Sequence, residues 1–154
     1  MNLVIRRTDI NEAEHILAVQ KEAFKDDLET YKDYETNPAA EPIKRLLYKI
    51  GKNIHYTIFL RDKIIGGAEI RLDKEAECYI NRIFLLPEHQ NRGFGTQIMN
   101  FLENEYPKVK KWTLCTPHKN TKNQYFYEKF GYEKVGQHKV TEHLSLIDYL
   151  KLRI

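Results

Sequence analysis

Residues 90–96 carry the residue types that bind a phosphate group in proteins. Two glycines, Gly93 and Gly95, lie one residue apart in a polar turn between a predicted strand and a predicted helix. Glycine lets a backbone approach a ligand closely and adopt torsions that a Cβ would block. The first amides of a helix have no partner within it and lie at its positive end, so this turn suits a phosphate or pyrophosphate. Arg92 can add a charge-assisted hydrogen bond.

Three interpretations of this loop compete. A Walker loop requires a lysine followed by Ser or Thr after its last glycine, and here Gly95 is followed by Thr96 with no lysine. A dinucleotide-binding fingerprint requires three glycines in the first strand-to-helix turn, whereas this loop has two and follows several predicted strands. On the loop alone, a glycine-rich turn that binds nothing stays as open as a phosphate site.

Periodicity along the chain predicts the elements that position this loop. Apolar residues at helical spacing predict four helices, from about 10 to about 24, 42–51 with Gly51 as the stop, 93–106 and 120–130. Alternating and β-branched runs predict seven strands at 3–7, 55–60, 64–72, 77–85, 112–116, 132–138 and 144–152. Residues 25–41 are polar and predict a loop or irregular helix, and residues 73–75 predict a turn.

The order of these elements predicts an α/β fold. Three successive strands in the middle of the chain form an antiparallel meander, and the alternation of strands and helices that follows predicts a parallel pair. We therefore expect a single domain over residues 1–154, with a mixed, mostly antiparallel sheet of about seven strands flanked by about four helices.

Composition excludes several classes of protein. Lys and Arg total 25 and Asp and Glu total 22, and a net charge of +3 with well-mixed signs argues against a nucleic-acid binder. The apolar runs are too short to span a bilayer, and the N-terminus has charges where a signal peptide needs apolar residues. Cys78 and Cys115 lack metal-ligand spacing, as do the six histidines. We expect reduced thiols, no metal and a cytoplasmic protein that binds neither nucleic acid nor membrane.

Two segments resemble motifs of the GNAT superfamily of N-acetyltransferases. Residues 85–95, with the pattern L-x-P-x-x-Q-x-x-G-x-G, are similar to that family's acetyl-CoA-binding motif of strand, pyrophosphate loop and helix. Residues 120–132 are similar to a helix further along the family's chain, with Asn123 where alanine is most frequent and Tyr132 in place of phenylalanine. The order of predicted elements matches the family fold over essentially the whole chain.

The resemblance implies acetyl-CoA as the acyl donor, bound between two parallel strands that splay apart, here 77–85 and 112–116. It assigns donor binding to backbone groups of Ile83 and Leu85, to the loop residues Gln90, Asn91, Arg92, Gly93, Phe94, Gly95 and Thr96, to the Asn120 side chain, and to Tyr127. Asn120 also suits an ordinary helix N-cap.

The resemblance further implies direct acetyl transfer to a primary amine, with Tyr127 as the general acid that protonates the departing thiolate. The alternative is a half-buried aromatic packed beside Phe126 and Phe130. Because an alkyl ammonium must lose its proton before it attacks, a general base is expected. Glu69 is favoured slightly over Glu77 for this role, although each on its own also suits a solvated strand residue.

The sequence does not identify the acceptor amine. In the family the region between the first two helices selects the acceptor, and here residues 26–35 are acidic with interleaved tyrosines. That composition favours a cationic amine, or marks a solvated loop. We expect a small-molecule or peptide amine as the partner, with monomer and homodimer both open. The alternative function is a non-catalytic acyl-CoA-binding module with the same fold.

Overall fold

Seven strands form one sheet in the computed structural model of the protein, which describes residues 2–74 and 76–153. The strands are β1 (Leu3–Arg7), β2 (Ile54–Leu60), β3 (Lys63–Lys74), β4 (Glu77–Leu85), β5 (Lys111–Pro117), β6 (Glu133–Lys139) and β7 (Ser145–Leu152). Within the same residues the four α-helices are α1 (Ala13–Tyr31), α2 (Ile43–Lys52), α3 (Phe94–Glu105) and α4 (Thr121–Lys129).

The strand order is β1-β2-β3-β4-β5-β7-β6. The β4–β5 pair is parallel and every other pair is antiparallel, so the predicted mixed α/β sheet with a parallel central pair is confirmed. The last strand, β7, inserts between β5 and β6, which leaves β6 at the edge.

The parallel pair is joined over only part of its length. Its ladder runs from Glu77↔Lys111 to Ile80↔Leu114, although β4 continues to Leu85. Beyond this ladder β5 pairs with β7 alone, and β4 with β3 alone. The facing edges of the two strands therefore carry backbone groups without a sheet partner, and a second chain or ligand can hydrogen-bond to them.

Helices cover both faces of the sheet. On one face α3 buries Ile98, Met99 and Leu102 against sheet residues that include Trp112, which is fully buried. On the other face α1 and α2 bury a second cluster around Ile16 and Leu46. Each fully buried side chain of this size contributes about 1.5–3 kcal/mol, so these two apolar layers hold the helices on the sheet. No helix among the described residues is long and apolar enough to cross a membrane.

Two helix ends predicted from the sequence are wrong. The first helix does not end near residue 24 but continues to Tyr31, where Lys32 takes a left-handed conformation with φ +53°. Tyr31 is buried and its ring contacts His118, so tertiary packing extends the helix through a polar stretch. Gly51 lies inside α2 rather than stopping it, because a glycine within a helix costs only about 1 kcal/mol.

The turn predicted at residues 73–75 is also wrong for its first two residues. Asp73 and Lys74 belong to β3, and Glu75 lies outside the described residues. The other predicted strands and helices agree with the structure to within two residues at each end.

Candidate active site

The loop between β4 and α3 has the backbone shape of an anion site. Asn91 and Gly93 both adopt positive φ, at +62° and +80°. A turn that contains left-handed residues of this kind directs successive N–H groups toward one concave side of the backbone. Gly93 is the N-cap of α3 and no side chain caps the helix, so the first amides of α3 are left for an external acceptor.

A cleft of about 410 Å³ lies beside this loop and is called the main cleft below. It extends between α1, the end of β4 and α4. Among the residues predicted to bind the acyl donor, those that line it are Ile83, Leu85, Gln90, Asn91, Gly93, Gly95, Thr96, Asn120 and Tyr127. The structure thus gathers residues that lie far apart in the sequence around a single opening.

Two loop residues of the predicted set do not line the main cleft. Phe94 is the first residue of α3, and its ring is buried in the core. The Arg92 side chain is exposed, with one guanidinium nitrogen 3.4 Å from Nδ1 of His89.

A second, smaller space of about 250 Å³ adjoins the main cleft and is called the side cavity below. It lies where β4 and β5 are no longer paired, under the end of α1 and the segment that follows it. The side chains that line both spaces are Phe24, Asp27, Ile83, Asn123 and Tyr127. These five residues mark the junction between the two spaces.

Tyr127 lies at this junction on α4. Its ring packs edge-on against Phe126 and Tyr132, at centroid distances of 5.3 and 5.9 Å. Burial raises the pKa of the Tyr127 hydroxyl to about 12, so it stays protonated through the neutral range. Within the described residues the hydroxyl has no hydrogen-bond partner. Tyr127 therefore packs as an aromatic and also presents a free proton donor.

Asn120 lies at the start of α4 and is its N-cap. Its side-chain oxygen accepts a hydrogen bond from the backbone N–H of Asn123 at 3.0 Å. This leaves the side-chain amide nitrogen at the main cleft, where it is available as a donor.

Glu69, one of the two predicted bases, is buried on the face of the sheet that α1 and α2 cover. It is 0% exposed and lines neither space. Its Oε2 accepts hydrogen bonds from the side-chain amides of Asn53 and Asn81, at 2.7 and 3.0 Å. Asn81 reaches Glu69 because the β3–β4 register shifts there and makes Asn81 the extra residue of a bulge.

Glu77, the other predicted base, lies at the opposite end of β4 from the main cleft. It is half-buried, pairs in the ladder with Lys111, and its carboxylate is 3.9 Å from the Lys111 ammonium. Like Glu69, it lines neither space. The structure does not bring either glutamate to Tyr127.

Asp27 is a junction residue that the sequence reasoning did not single out. Burial, together with the neighbouring charge of Asp26, raises the pKa of its carboxyl. The sequence did contain an indication that Asp27 faces the same side as Phe24 and Tyr31. The three residues are spaced three and four positions apart and therefore share one face of a helix. This indication could not be recognised while the helix was expected to end near residue 24.

The described residues contain no group of three or more His, Cys, Asp or Glu side chains arranged to hold a metal ion. The polar side chains at the junction are instead the Tyr127 phenol, the Asp27 carboxylate and the Asn123 carboxamide.

Comparison with protein families gives one match. A model described as the acetyltransferase (GNAT) family matches residues 16–132, more than half of the chain. A comparison with curated proteins finds no match.

Solved structures resemble the whole chain. The PaiA N-acetyltransferase of Thermoplasma acidophilum, in complex with coenzyme A, has a TM-score of 0.77 and 18% identity, covering 99% of this chain and 100% of that one. The ribosomal-protein-S18-alanine N-acetyltransferase of Escherichia coli has a TM-score of 0.79 and 15% identity over 98% and 94%. A spermidine N-acetyltransferase chimera of SpeG from Vibrio cholerae and hSSAT has a TM-score of 0.76 and 18% identity over 99% and 96%. At these identities the likeness establishes the fold.

Proposed function

Because the chain belongs to the acetyltransferase (GNAT) family, we propose that it transfers the acetyl group of acetyl-CoA directly to a primary amine. The observation that carries this proposal is the junction at Tyr127. There the cleft beside the loop that precedes α3 meets a second cavity of about 250 Å³.

Several features of the main cleft support binding of the donor. The first amides of α3 and the positive-φ residues Asn91 and Gly93 suit the pyrophosphate, and Lys122 at the same cleft adds a positive charge. The unpaired edge of β4 near Ile83 and Leu85 suits the amide-bearing pantetheine arm, which can hydrogen-bond there like an added strand. The free amide of Asn120 can donate to the same arm.

When bound, acetyl-CoA supplies a thioester whose carbonyl carbon bonds to the amine nitrogen as its bond to sulfur breaks, while the nitrogen loses a proton and the sulfur gains one. Tyr127 holds a proton at its hydroxyl oxygen. In this proposal the acceptor enters as the neutral amine after losing its ammonium proton to solvent, Tyr127 delivers its proton to the sulfur, and the proton that the nitrogen then loses returns to Tyr127 through water. In this proposal, backbone N–H groups on the unpaired edge of β4 stabilise the negative charge on the carbonyl oxygen.

Neither of the two predicted glutamates acts as the general base in this proposal. Glu69 is a positioning residue, since its hydrogen bond orients Asn81 and Asn81 lines the side cavity. Glu77 takes no part, because it lies away from both spaces.

Two measurements test the proposed function. Calorimetric titration with acetyl-CoA and with CoA is expected to show binding in the micromolar range or tighter. A thiol-release assay over a panel of amines is expected to show release that requires both an amine and acetyl-CoA. Binding without acetylation of any amine would favour the non-catalytic acyl-CoA-binding module, and no binding by folded protein would overturn both functions.

A further inference from the structure

The Asp27 carboxylate lies at the junction of the main cleft and the side cavity without a cation beside it. The charge that acts on it is that of Asp26, which is also negative. Within residues 2–74 and 76–153 no hydrogen bond or ion pair engages the Asp27 side chain. A half-buried carboxylate with no internal partner gains from a cationic ligand, because that ligand compensates for the hydration lost on burial.

The side cavity offers no matching site for an anion. Among the described residues Arg82 is the one cation that lines it, and Arg82 already donates to Glu41 at 3.0 Å and lies 3.8 Å from Glu69. Lys49 donates to the other oxygen of Glu41 at 2.7 Å. Two cations thus face two carboxylates, and no net positive charge is left to bind a carboxylate of the acceptor.

An unsatisfied buried hydroxyl is a second and independent sign that the side cavity takes a polar ligand. Thr116 lines the cavity and is 1% exposed, and its Oγ1 has no hydrogen-bond partner among the described residues. Buried hydroxyls in proteins are hydrogen-bonded as a rule, so this hydroxyl is available to a polar group of a ligand. The rings of Tyr31 and Tyr79 line the same cavity and suit the alkyl or ammonium part of an amine.

The size of the side cavity restricts the acceptor further. Its volume of about 250 Å³ falls below the range of about 300–1,000 Å³ typical of drug-sized ligand sites. The end of α1 borders it, where Tyr31 is 3% exposed and its ring packs against His118 at 5.8 Å. The volume therefore suits a small molecule.

From these observations we propose that the acceptor is a small amine that carries a second, cationic amino group and no carboxylate, and that Asp27 binds this second group as its ammonium while the other amino group reacts. The inference rests on the proposed function and narrows its acceptor to one chemical class. It assigns to Asp27 a role as a substrate-binding residue.

Matched acceptors that differ only in a carboxylate test this directly. Cadaverine and lysine are one such pair, and putrescine and ornithine are another. We expect kcat/KM for the diamine to exceed that for the amino acid at least tenfold in both pairs. Equal or better use of lysine and ornithine would overturn the inference, because it would require a free cation in the side cavity.

The Asp27→Asn variant tests whether the preference for acceptors without a carboxylate depends on Asp27. It is expected to raise the KM for cadaverine at least tenfold, while Glu29→Gln, which removes the same charge from an exposed position of α1, leaves it unchanged. Asp27→Asn is also expected to raise the midpoint of thermal unfolding, since burial disfavours the charged carboxylate. Equal KM values in the two variants would overturn the assignment.

Binding measurements separate failure of this inference from failure of the proposed function. Cadaverine and lysine are titrated into the protein with and without saturating CoA. If no amine is acetylated but cadaverine binds more tightly than lysine and Asp27→Asn abolishes the difference, the inference stands and the catalytic proposal fails. If neither compound binds, with or without CoA, the inference is overturned.

Discussion

Gln90 donates a hydrogen bond from its side-chain amide to the backbone oxygen of Leu85, at 3.0 Å. This bond ties the loop before α3 to the last residue of β4. The glutamine side chain therefore turns back toward its own strand, and the loop presents backbone amides to the main cleft. Because the pyrophosphate is expected at those amides, Gln90 acts by holding the loop rather than by contributing a charge.

Loss of this bond is expected to weaken donor binding moderately. A neutral hydrogen bond contributes about 1 kcal/mol, so Gln90→Ala is expected to raise the dissociation constant of CoA about fivefold. Calorimetric titration measures the change, and the urea midpoint shows whether the variant remains folded. An unchanged affinity in the folded variant would mean that the loop keeps its shape without this bond.

Removal of the Tyr127 hydroxyl is expected to slow acetyl transfer without weakening donor binding. Proton transfer by a positioned side chain contributes on the order of 100-fold or more, so Tyr127→Phe is expected to lower kcat by at least that factor. The control is Tyr125→Phe on the same helix, where the ring is 70% exposed and lines neither space. Near-normal kcat in Tyr127→Phe would assign the tyrosine to packing alone.

The backbones of β3 and β4 approach each other closely at Gly66. A Cβ at this position would lie 2.1 Å from the backbone oxygen of Phe84, which cannot move without breaking the strand pair. Gly66→Ala is therefore expected to lower the free energy of unfolding by about 3 kcal/mol.

Gly51 provides the control for that substitution. A Cβ there meets nothing within 4 Å and the residue lies in α2, so Gly51→Ala is expected to raise stability by about 0.5–1 kcal/mol. Urea midpoints at equal m-values measure both changes. A midpoint for Gly66→Ala equal to that of the parent protein would contradict the β3–β4 approach.

His55 makes the stability depend on pH in the mildly acidic range. Burial is the main cause that lowers its pKa from 6.5 to about 4, so between these values the unfolded chain binds the proton and the folded chain does not. The free energy of unfolding is therefore highest above pH 6.5 and falls by about 3 kcal/mol as the pH drops to 4.

His55→Gln removes this titration and is expected to flatten the stability profile between pH 6.5 and 4.5. The loss of protein stability below that range remains. The fold lowers the pKa values of Glu12 and Glu41, so protonation of these carboxyls destabilises the folded state. Denaturant unfolding at a series of pH values measures both profiles. Parallel profiles for the two proteins would contradict a neutral buried His55.

Local sequence patterns were sufficient to predict most of the fold. Period-2 and period-3.6 runs placed the strands and helices to within two residues at most ends, and the strand–helix alternation predicted the parallel pair. The extension of α1 to Tyr31 was missed because it depends on a distant contact with His118. The position of β7 between β5 and β6 was not predicted because strand order depends on pairing between remote segments.

Glycines and caps made part of the candidate site predictable, and the resemblance to the GNAT family added Ile83, Leu85 and Tyr127, which also line the main cleft. The loop around Gly93 and the N-cap Asn120 have such local signals. The environment of Glu69 has none, because its burial depends on the bulge at Asn81 and on Asn53 from another element. The acidic segment 26–35 was predicted to favour a cationic amine, but Asp27 could not be singled out within it, since its place at the junction depends on two spaces that form only when α1 lies over the sheet.

Titration of acetyl-CoA into the parent protein and two variants at Gly93 tests the central claim most directly. A Cβ at Gly93 meets nothing within 4 Å, so Gly93→Ala introduces only the strain of a φ of +80°, whereas Gly93→Asp also places a negative charge at the phosphate-binding amides. We predict micromolar or tighter binding by the parent, modestly weaker binding by Gly93→Ala, and at least tenfold weaker binding by Gly93→Asp than by Gly93→Ala. Folded parent protein that does not bind, or an aspartate variant that binds like the alanine variant, would contradict the pyrophosphate site and the acetyl transfer built on it.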